Sequence, residues 1–151
     1  MEQNKVGTTK NWINSEKVDF SKVYVAHESD KAEAITAKLD SGLHVVLQPG
    51  NYYLSDSIKV NRPNAVILGL GMATLISNTG KPCIQVADVQ GVRIAGVLLQ
   101  AGPHKAETLI KWGQSKNSGS SQNPGVMSDV FARVGGRNNP YSQQTSAESM
   151  V

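Results

Sequence analysis

Between His44 and Gly102 the chain is a succession of short apolar runs separated by turn residues. The runs read VVLQ, YYL, SIKV, AVILGLG, ATLIS, CIQVAD and VRIAGVLLQAG. Each has strand length, and each is dominated by Val, Ile, Leu or Tyr, which suit a pleated, half-buried surface. The breaks fall at Pro49-Gly50, Asn61 to Asn64, Asn78 to Gly80 and Gln90-Gly91. These residue types favour turns through a fixed φ, a positive φ or a local side-chain hydrogen bond. No helix-length amphipathic segment interrupts the series, which argues against alternating strands and helices. VYVA at 23–26 adds a strand upstream, and Val126 to Gly136 and the terminal SAESMV add strands downstream.

One helix stands out, over about 30–41. Asp30 is placed as its N-cap with Glu33 three residues on, the pattern of a capping box. Ala32, Ile35, Ala37 and Leu39 supply apolar positions, and Gly42 suits the C-terminal stop. An end layer of stacked strands exposes apolar side chains and unpaired backbone. The expected role of this helix is to cover that end. Residues 1–22 read as a polar extension, whose Trp12, Ile13, Val18 and Phe20 predict partial packing on the strands. GQSKNSGSSQNPG at 113–125 and RNNPYSQQTSAE further on are polar excursions. The first reads as a mobile loop or as a flank to a ligand cleft.

The runs echo one another. NAVILGLGMATLI at 64–76 is answered by GVRIAGVLLQAG at 91–102 and by GVMSDVFARVGG at 125–136. The step from Val66 to Val92 is 26 residues, and from Val92 to Val126 it is 34. Aligned in this way, Val66, Leu68 and Leu70 share a face with Val92, Ile94 and, past a bend at Gly96, Val97. A second echo pairs CIQVAD at 83–88 with TLIKWG at 108–113. Two interleaved strand families at a coil-like period indicate a stacked solenoid, each turn burying one face beneath the next.

PGNYYLSDSIKVNRPNAVILGLGMATLI, then VADVQGVRIAGVLLQAGP, then VMSDVFARVGG resemble the pectate-lyase-like right-handed parallel β-helix superfamily. More narrowly they resemble a group of large secreted fungal and bacterial β-helix proteins. The resemblance covers roughly Val23 to Gly136. It implies an all-β fold, a right-handed parallel β-helix over 23–151 with coils from 44 onward and the helix as an N-terminal cap. Such relatives are much longer, so the chain reads as the N-terminal part of a larger secreted, carbohydrate-active protein, extracellular in location. Its motifs are mostly turn and core residues and therefore specify fold rather than chemistry.

Charge and cysteine narrow the function only a little. The chain has 151 residues, a net charge of +3 and 18% charged residues, without a Lys/Arg cluster on one face. Nucleic acid is not an expected partner. No apolar run is long enough to span a bilayer, and the N-terminus has no apolar core of a leader, so no membrane partner is expected. Cys83 is the single cysteine and lies in an apolar run, which suits a small core residue better than a nucleophile.

Candidate chemistry is sparse. Gly69-Leu70-Gly71 lacks the third glycine and the following helix of a dinucleotide site. Thr79-Gly80-Lys81-Pro82 lacks the upstream glycine and the hydroxyl of a phosphate loop. His27, His44 and His104 show no metal-ligand spacing, and neither metal nor cofactor is expected. A hydrolase needs two carboxylates across one cleft, and the acids on the runs are Asp56, Asp88, Glu107 and Asp129. Arg93, Lys111 and Arg133 fall at outward strand positions and could face an acidic sugar polymer; the plainer reading is a solvated face. Trp112 beside the long loop is a sugar-stacking candidate, or else a loop anchor. These four are the expected substrate-binding residues, for a polysaccharide or glycan surface, with the catalytic residues unassigned. Hydrolase and lyase both stay open. The alternative is a non-catalytic glycan-binding or self-assembling scaffold, a homo-oligomer formed through the open coil edge.

Overall fold

The structure, a computed structural model, describes residues 17–114, 119–135 and 147–149. The strands run in the order β1 (Val23–Ala26), β2 (His44–Leu47), β3 (Asn51–Leu54), β4 (Ile58–Val60), β5 (Val66–Ser77) and β6 (Ile84–Val86). They continue as β7 (Arg93–Ala101), β8 (Ala106–Thr108), β9 (Ile110–Trp112), β10 (Val126–Ser128), β11 (Phe131–Arg133) and β12 (Ala147–Ser149). Helix α1 (Ala32–Asp40) lies between β1 and β2. The described strands pair in parallel throughout. The largest sheet runs β1-β2-β5-β7-β10, with β3 beside the second half of β5 and β11 beside the second half of β7. A three-stranded sheet runs β4-β6-β9, and β12 pairs with β8.

Among the described residues the chain is thus all-β apart from α1 and a 3-10 turn at Phe20–Lys22, and the same order recurs along it. A strand in the first half of the large sheet leads through a bend to a strand in the second half, and then to a short strand in the three-stranded sheet. β2, β3 and β4 form one such layer. β5, bent in the middle, and β6 form the next, and β7 and β9 the third. Where β5 bends, the pairing register with β7 shifts between Leu68 and Ala73. β7 bends at Gly96, where φ is +68°. The two backbones come so close there that a Cβ on Gly69 would lie 2.4 Å from the Gly96 carbonyl oxygen. Only hydrogen fits between them.

Alternation along each strand sends every second side chain inward. In the three-stranded sheet Ile58, Ile84 and Ile110 lie in one cross-strand row, and all three are fully buried. Tyr52, Leu75 and Leu99 form another buried row in the large sheet. Each such side chain is worth about 1.5–3 kcal/mol of hydrophobic transfer. The Tyr52 hydroxyl lies 2.9 Å from the Ala26 carbonyl oxygen and 3.0 Å from that of Gln48. Burial, and then the charge of Asp30, pushes its phenol up to about 12, so it stays a donor.

The face assignment of the second layer needs correction. Val66 pairs with Arg93 and Ile67 with Ile94, one residue later than the Val66–Val92 alignment. A slip of one residue exchanges the two faces of a strand. Ala65 and Ile67 therefore point into the core, while Leu68 and Leu70 are 37% and 47% exposed. Val92, Ile94 and Val97 are buried as expected.

Helix α1 covers the first layer, packing on β2 and β4. Its start differs from the expected capping box. The N-cap is Lys31, which makes no side-chain cap bond. The Asp30 carboxylate instead accepts from Tyr24 Oη at 2.8 Å and the His27 amide at 3.0 Å, partners already in place in the preceding turn. Ala32, Ile35 and Leu39 are buried, but Ala37 faces solvent. Gly42, at φ +96°, ends the helix as expected. Val18 and Phe20 are exposed rather than packed, and Trp12 and Ile13 lie outside the described residues.

The edge of the first layer is closed strand by strand. β1 pairs with β2. The Asn51 amide of β3 donates to Glu28 Oε2 at 3.2 Å, and the Lys59 amide of β4 donates to Thr36 Oγ1 at 3.0 Å. Arg62, after β4, donates from Nε to the Leu39 carbonyl and from Nη2 to the Leu43 carbonyl, both at 2.8 Å. It thereby ties the helix C-terminus to the next turn.

Two substitutions test this arrangement. Arg62→Ala should cost about 2 kcal/mol, as the loss of charge-assisted bonds to partly buried carbonyls does, read from urea unfolding. It should also speed amide exchange in α1 ahead of the strands, and Arg62→Lys should recover little, because an ammonium lacks the two-pronged geometry. Gly69→Ala should cost about 1–3 kcal/mol or more, since backbone rather than a flexible side chain must yield. Thermal unfolding followed by circular dichroism measures it.

Candidate functional site

The outward side chains of the three-stranded sheet form a polar ladder. Lys59 pairs with Gln85, and Gln85 with Lys111, so the three stand side by side across β4, β6 and β9. Strand spacing sets neighbours about 4.8 Å apart. Their position follows from the buried isoleucines beside them: with Ile58, Ile84 and Ile110 turned inward, the next residue on each strand must face out. Lys59 and Lys111 are exposed and Gln85 is half-buried.

At its β4 end the ladder opens on a cleft beneath α1, of about 210 Å³, lined by Glu33, Thr36, Asp40, Asp56, Ser57 and Lys59. It is smaller than the roughly 300–1,000 Å³ of a pocket that encloses a ligand, so it suits one polar group or ring at a surface. Asp56 accepts from the Ser57 amide at 2.8 Å and from Lys81 Nζ at 3.1 Å. Lys59 Nζ lies 4.0 Å from its other oxygen. The Ser57 amide first, and then Lys81, hold this carboxyl below the usual range. It is therefore a fixed acceptor at neutral pH and not a proton donor. Asp40 accepts from Asn61 Nδ2 at 3.1 Å.

The four residues singled out from sequence fall on different surfaces. Lys111 is a rung of the ladder. Trp112, its neighbour, lies in the core-facing row with Val60 and Val86 and packs against the core. The end of the long loop rests on its indole, since a Cβ on Gly125 would fall 2.5 Å from the ring. Arg93 and Arg133 belong to the large sheet, at opposite ends of β7: Arg93 begins that strand, and Arg133, on β11, pairs with Gln100 near its end. Arg93 Nη1 donates to the Gly91 carbonyl at 3.1 Å, and Arg133 Nη2 donates to Gln100 Oε1. Lys59 and Gln85 were missed. The signal was present in I-K-V, I-Q-V and I-K-W at 58–60, 84–86 and 110–112, a third member of the echo seen only in its last two.

The remaining candidates lie away from the ladder. Asp88 Oδ1 accepts from the Gln114 amide at 2.9 Å, closing the start of the long loop. Cys83 is buried, with Sγ 3.3 Å from the Leu75 carbonyl oxygen, and burial pushes its thiol up to about 12. It is a protonated core residue at neutral pH. His27 Nδ1 lies 3.1 Å from Ser29 Oγ on the surface, and His104 is exposed. Asp129 stands at the bend between β10 and β11, with φ +50°. There it borders a second, more apolar notch of about 190 Å³ with Gly69, Met72, Gly96 and Phe131.

Comparison with known proteins places this framework. Residues 23–151 match the LAM55 pectate lyase-like domain. An exo-beta-1,3-glucanase from Streptomyces sp. (strain SirexAA-E / ActE) is 42% identical over 122 residues, which are 80% of this chain and 20% of that protein. The solved structure of sacteLam55A from Streptomyces sp. SirexAA-E superimposes with a TM-score of 0.73 at 43% identity, over 76% of this chain and 21% of that one. A variant of it in complex with glucose gives a TM-score of 0.74 at the same identity and nearly the same coverage. The chain spans about a fifth of the length of these relatives. It belongs to the LAM55 pectate lyase-like domain family.

Proposed function

We propose that this chain is a length of right-handed parallel β-helix serving a carbohydrate-active protein of the extracellular space. Its role is to contact β-1,3-linked glucan through the Lys59–Gln85–Lys111 ladder. The 42% identity to an exo-beta-1,3-glucanase carries the reading. The recurring layer order supports the β-helix, because three strand directions per repeat with purely parallel pairing is what such a coil requires.

The ladder suits the substrate class. A glucan is neutral and offers hydroxyl and ring oxygens at a regular repeat. Exposed ammonium and amide donors, followed by the Asp56 and Asp40 acceptors of the cleft, match such groups better than a wholly basic face would. Glycoside hydrolysis requires two carboxyls across the bond, one of them protonated. Asp56 is held ionised and Asp88 is engaged by the Gln114 amide. The contribution proposed for the Lys59–Gln85–Lys111 ladder is binding, with the catalytic residues unassigned.

Affinity electrophoresis in gels containing a soluble β-1,3-glucan tests the reading. The protein should be retarded, with little retardation in an α-1,4-glucan or in polygalacturonate. Lys111→Ala and Gln85→Ala should each weaken binding about fivefold, the worth of one hydrogen bond of about 1 kcal/mol. Equal mobility with and without β-1,3-glucan would overturn the proposal. So would retardation that both substitutions leave unchanged.

A further inference from the structure

We propose that the cleft beneath α1 is an end-binding subsite, which takes the terminal pyranose ring of a β-1,3-glucan and stops the polymer there. The inference rests on the reading of the Lys59–Gln85–Lys111 ladder as a glucan contact, and adds which part of the polymer is recognised.

The cleft is built from two short stretches of sequence. Glu33, Thr36 and Asp40 are spaced three and four residues apart, so they share one face of α1. Opposite them stand Asp56 and Ser57, from the turn after β3, and Lys59 of β4. Ser57 is only 4% exposed and borders the cleft, yet its hydroxyl makes no hydrogen bond among the described residues. A buried hydroxyl without a partner is costly, and native structures rarely keep one. The groups around it are engaged elsewhere: the Ser57 amide donates to Asp56 Oδ1, and Thr36 Oγ1 accepts from the Lys59 amide. A hydroxyl group entering the cleft is the partner that the Ser57 side chain lacks.

The lining selects a neutral polyol. Three carboxylates, of Glu33, Asp40 and Asp56, oppose a phosphate or a uronate. They do not form a cation site either. Asp56 is already engaged by the Ser57 amide and by Lys81 Nζ at 3.1 Å, and Asp40 by Asn61 Nδ2. Among the described residues no three acidic, His or Cys side chains are grouped to hold a metal ion. The carboxylates are instead acceptors for O–H donors, with Lys59 and Ser57 as donors to ring and hydroxyl oxygens. A hexopyranose carries several adjacent hydroxyls that meet both kinds of group. At about 210 Å³ the cleft suits one ring and not a run of them.

Helix α1 makes the bound ring a terminal one. In the sheet order β4-β6-β9, β4 is the last strand on that side, and Thr36 takes the Lys59 amide where a further strand would pair. The place of the next rung is therefore occupied by the helix. Buried Ile35 and Leu39 hold it down, and Arg62 ties its C-terminal carbonyls to the turn after β4. A glucan laid across the rungs from Lys111 towards Lys59 meets α1 and goes no further along that line. Its last ring then lies by Asp40, Asp56 and Ser57, which can bind the hydroxyl that only a chain end leaves unlinked.

Amide shifts in two-dimensional NMR of the full chain test this. Methyl β-D-glucoside, a single ring, should move the amides of Thr36, Asp40 and Ser57 with a Kd of about 1–10 mM. Ser57→Ala should weaken this about fivefold, the worth of one hydrogen bond. It should leave the urea midpoint unchanged or raised, because the hydroxyl has no partner in the fold. Asp40→Asn should weaken binding by a similar factor. At equal mass, short β-1,3-linked oligosaccharides should bind more than the polymer, since they carry more ends. No shift at these amides up to about 100 mM glucoside would overturn the proposal. Shifts that both substitutions leave unchanged would do so as well, as would binding that follows mass rather than the number of ends. The two readings fail separately. A β-1,3-linked tetrasaccharide that moves the Gln85 and Lys111 amides but not that of Ser57 removes the subsite and keeps the ladder, whereas the converse refutes the ladder and supports the subsite.

Discussion

The structure depends on contact between equivalent inward residues of successive layers. Ile58, Ile84 and Ile110 illustrate it: each is a single side chain on a three-residue strand, too short to be stable alone. Each becomes fully buried because its counterpart in the next layer lies directly beside it. Parallel pairing supplies the backbone hydrogen bonds and fixes the register, and the register makes the side chains meet. Neither works without the other. A β strand buried on one face specifies its register strongly, since a slip of one residue would turn every aliphatic side chain to water.

This constraint explains where glycine and asparagine must be. A layer stays in register with the next only if both bend at the same place. Gly69 and Gly96 provide that bend with backbones nearly touching. At another corner the Asn64 amide donates to the Gln90 carbonyl at 2.9 Å, and the Gly91 amide to the Asn123 carbonyl at 3.0 Å. Asn123 Nδ2 then reaches across Gly91 to Asn64 Oδ1 at 2.9 Å. The long polar excursion after β9 is therefore fastened at its end, onto the turn of the preceding layers. Trp112 beneath Gly125 fastens the same region from the core side.

Much of this was legible in the chain. The short β-rich runs, the Gly42 stop, the bend at Gly96 and the buried Cys83 follow from local residue chemistry, which acts over a few residues. The resemblance of the turn and core segments likewise pointed to the pectate-lyase-like family. What escaped depends on distances set by several layers together. Val66 and Val92 look equivalent because both are valine, yet the neighbour of Val66 is Arg93, and the one-residue difference reversed the inner face of β5. Asp30 has the identity and position of an N-cap, but Tyr24 and His27 compete for its carboxylate, and that competition is tertiary. The basic residues Arg93, Lys111 and Arg133 each occupy an outward position on their own strand. Whether outward positions converge is decided by which sheet each strand joins, and period-two alternation carries no information on that.

The same reasoning turns the core pattern into a rule for the surface. On a three-residue strand with its first and last residues inward, one side chain faces solvent, and the stacking that aligns the isoleucines aligns that side chain too. Lys59, Gln85 and Lys111 are therefore neighbours because Ile58, Ile84 and Ile110 are. A polar residue at this position costs the core nothing, so its chemistry is free to vary while its geometry is fixed. The fold thus supplies an array of evenly spaced, independently replaceable contact positions, which is what recognition of a repeating polymer requires. A charge on such a rung acts over little more than the neighbouring rungs at physiological salt, where screening sets in at about 8 Å. In the glucan contact proposed above, specificity on this face rests on the local alternation of donor and acceptor along the ladder, and the modest net charge of the chain contributes little to it.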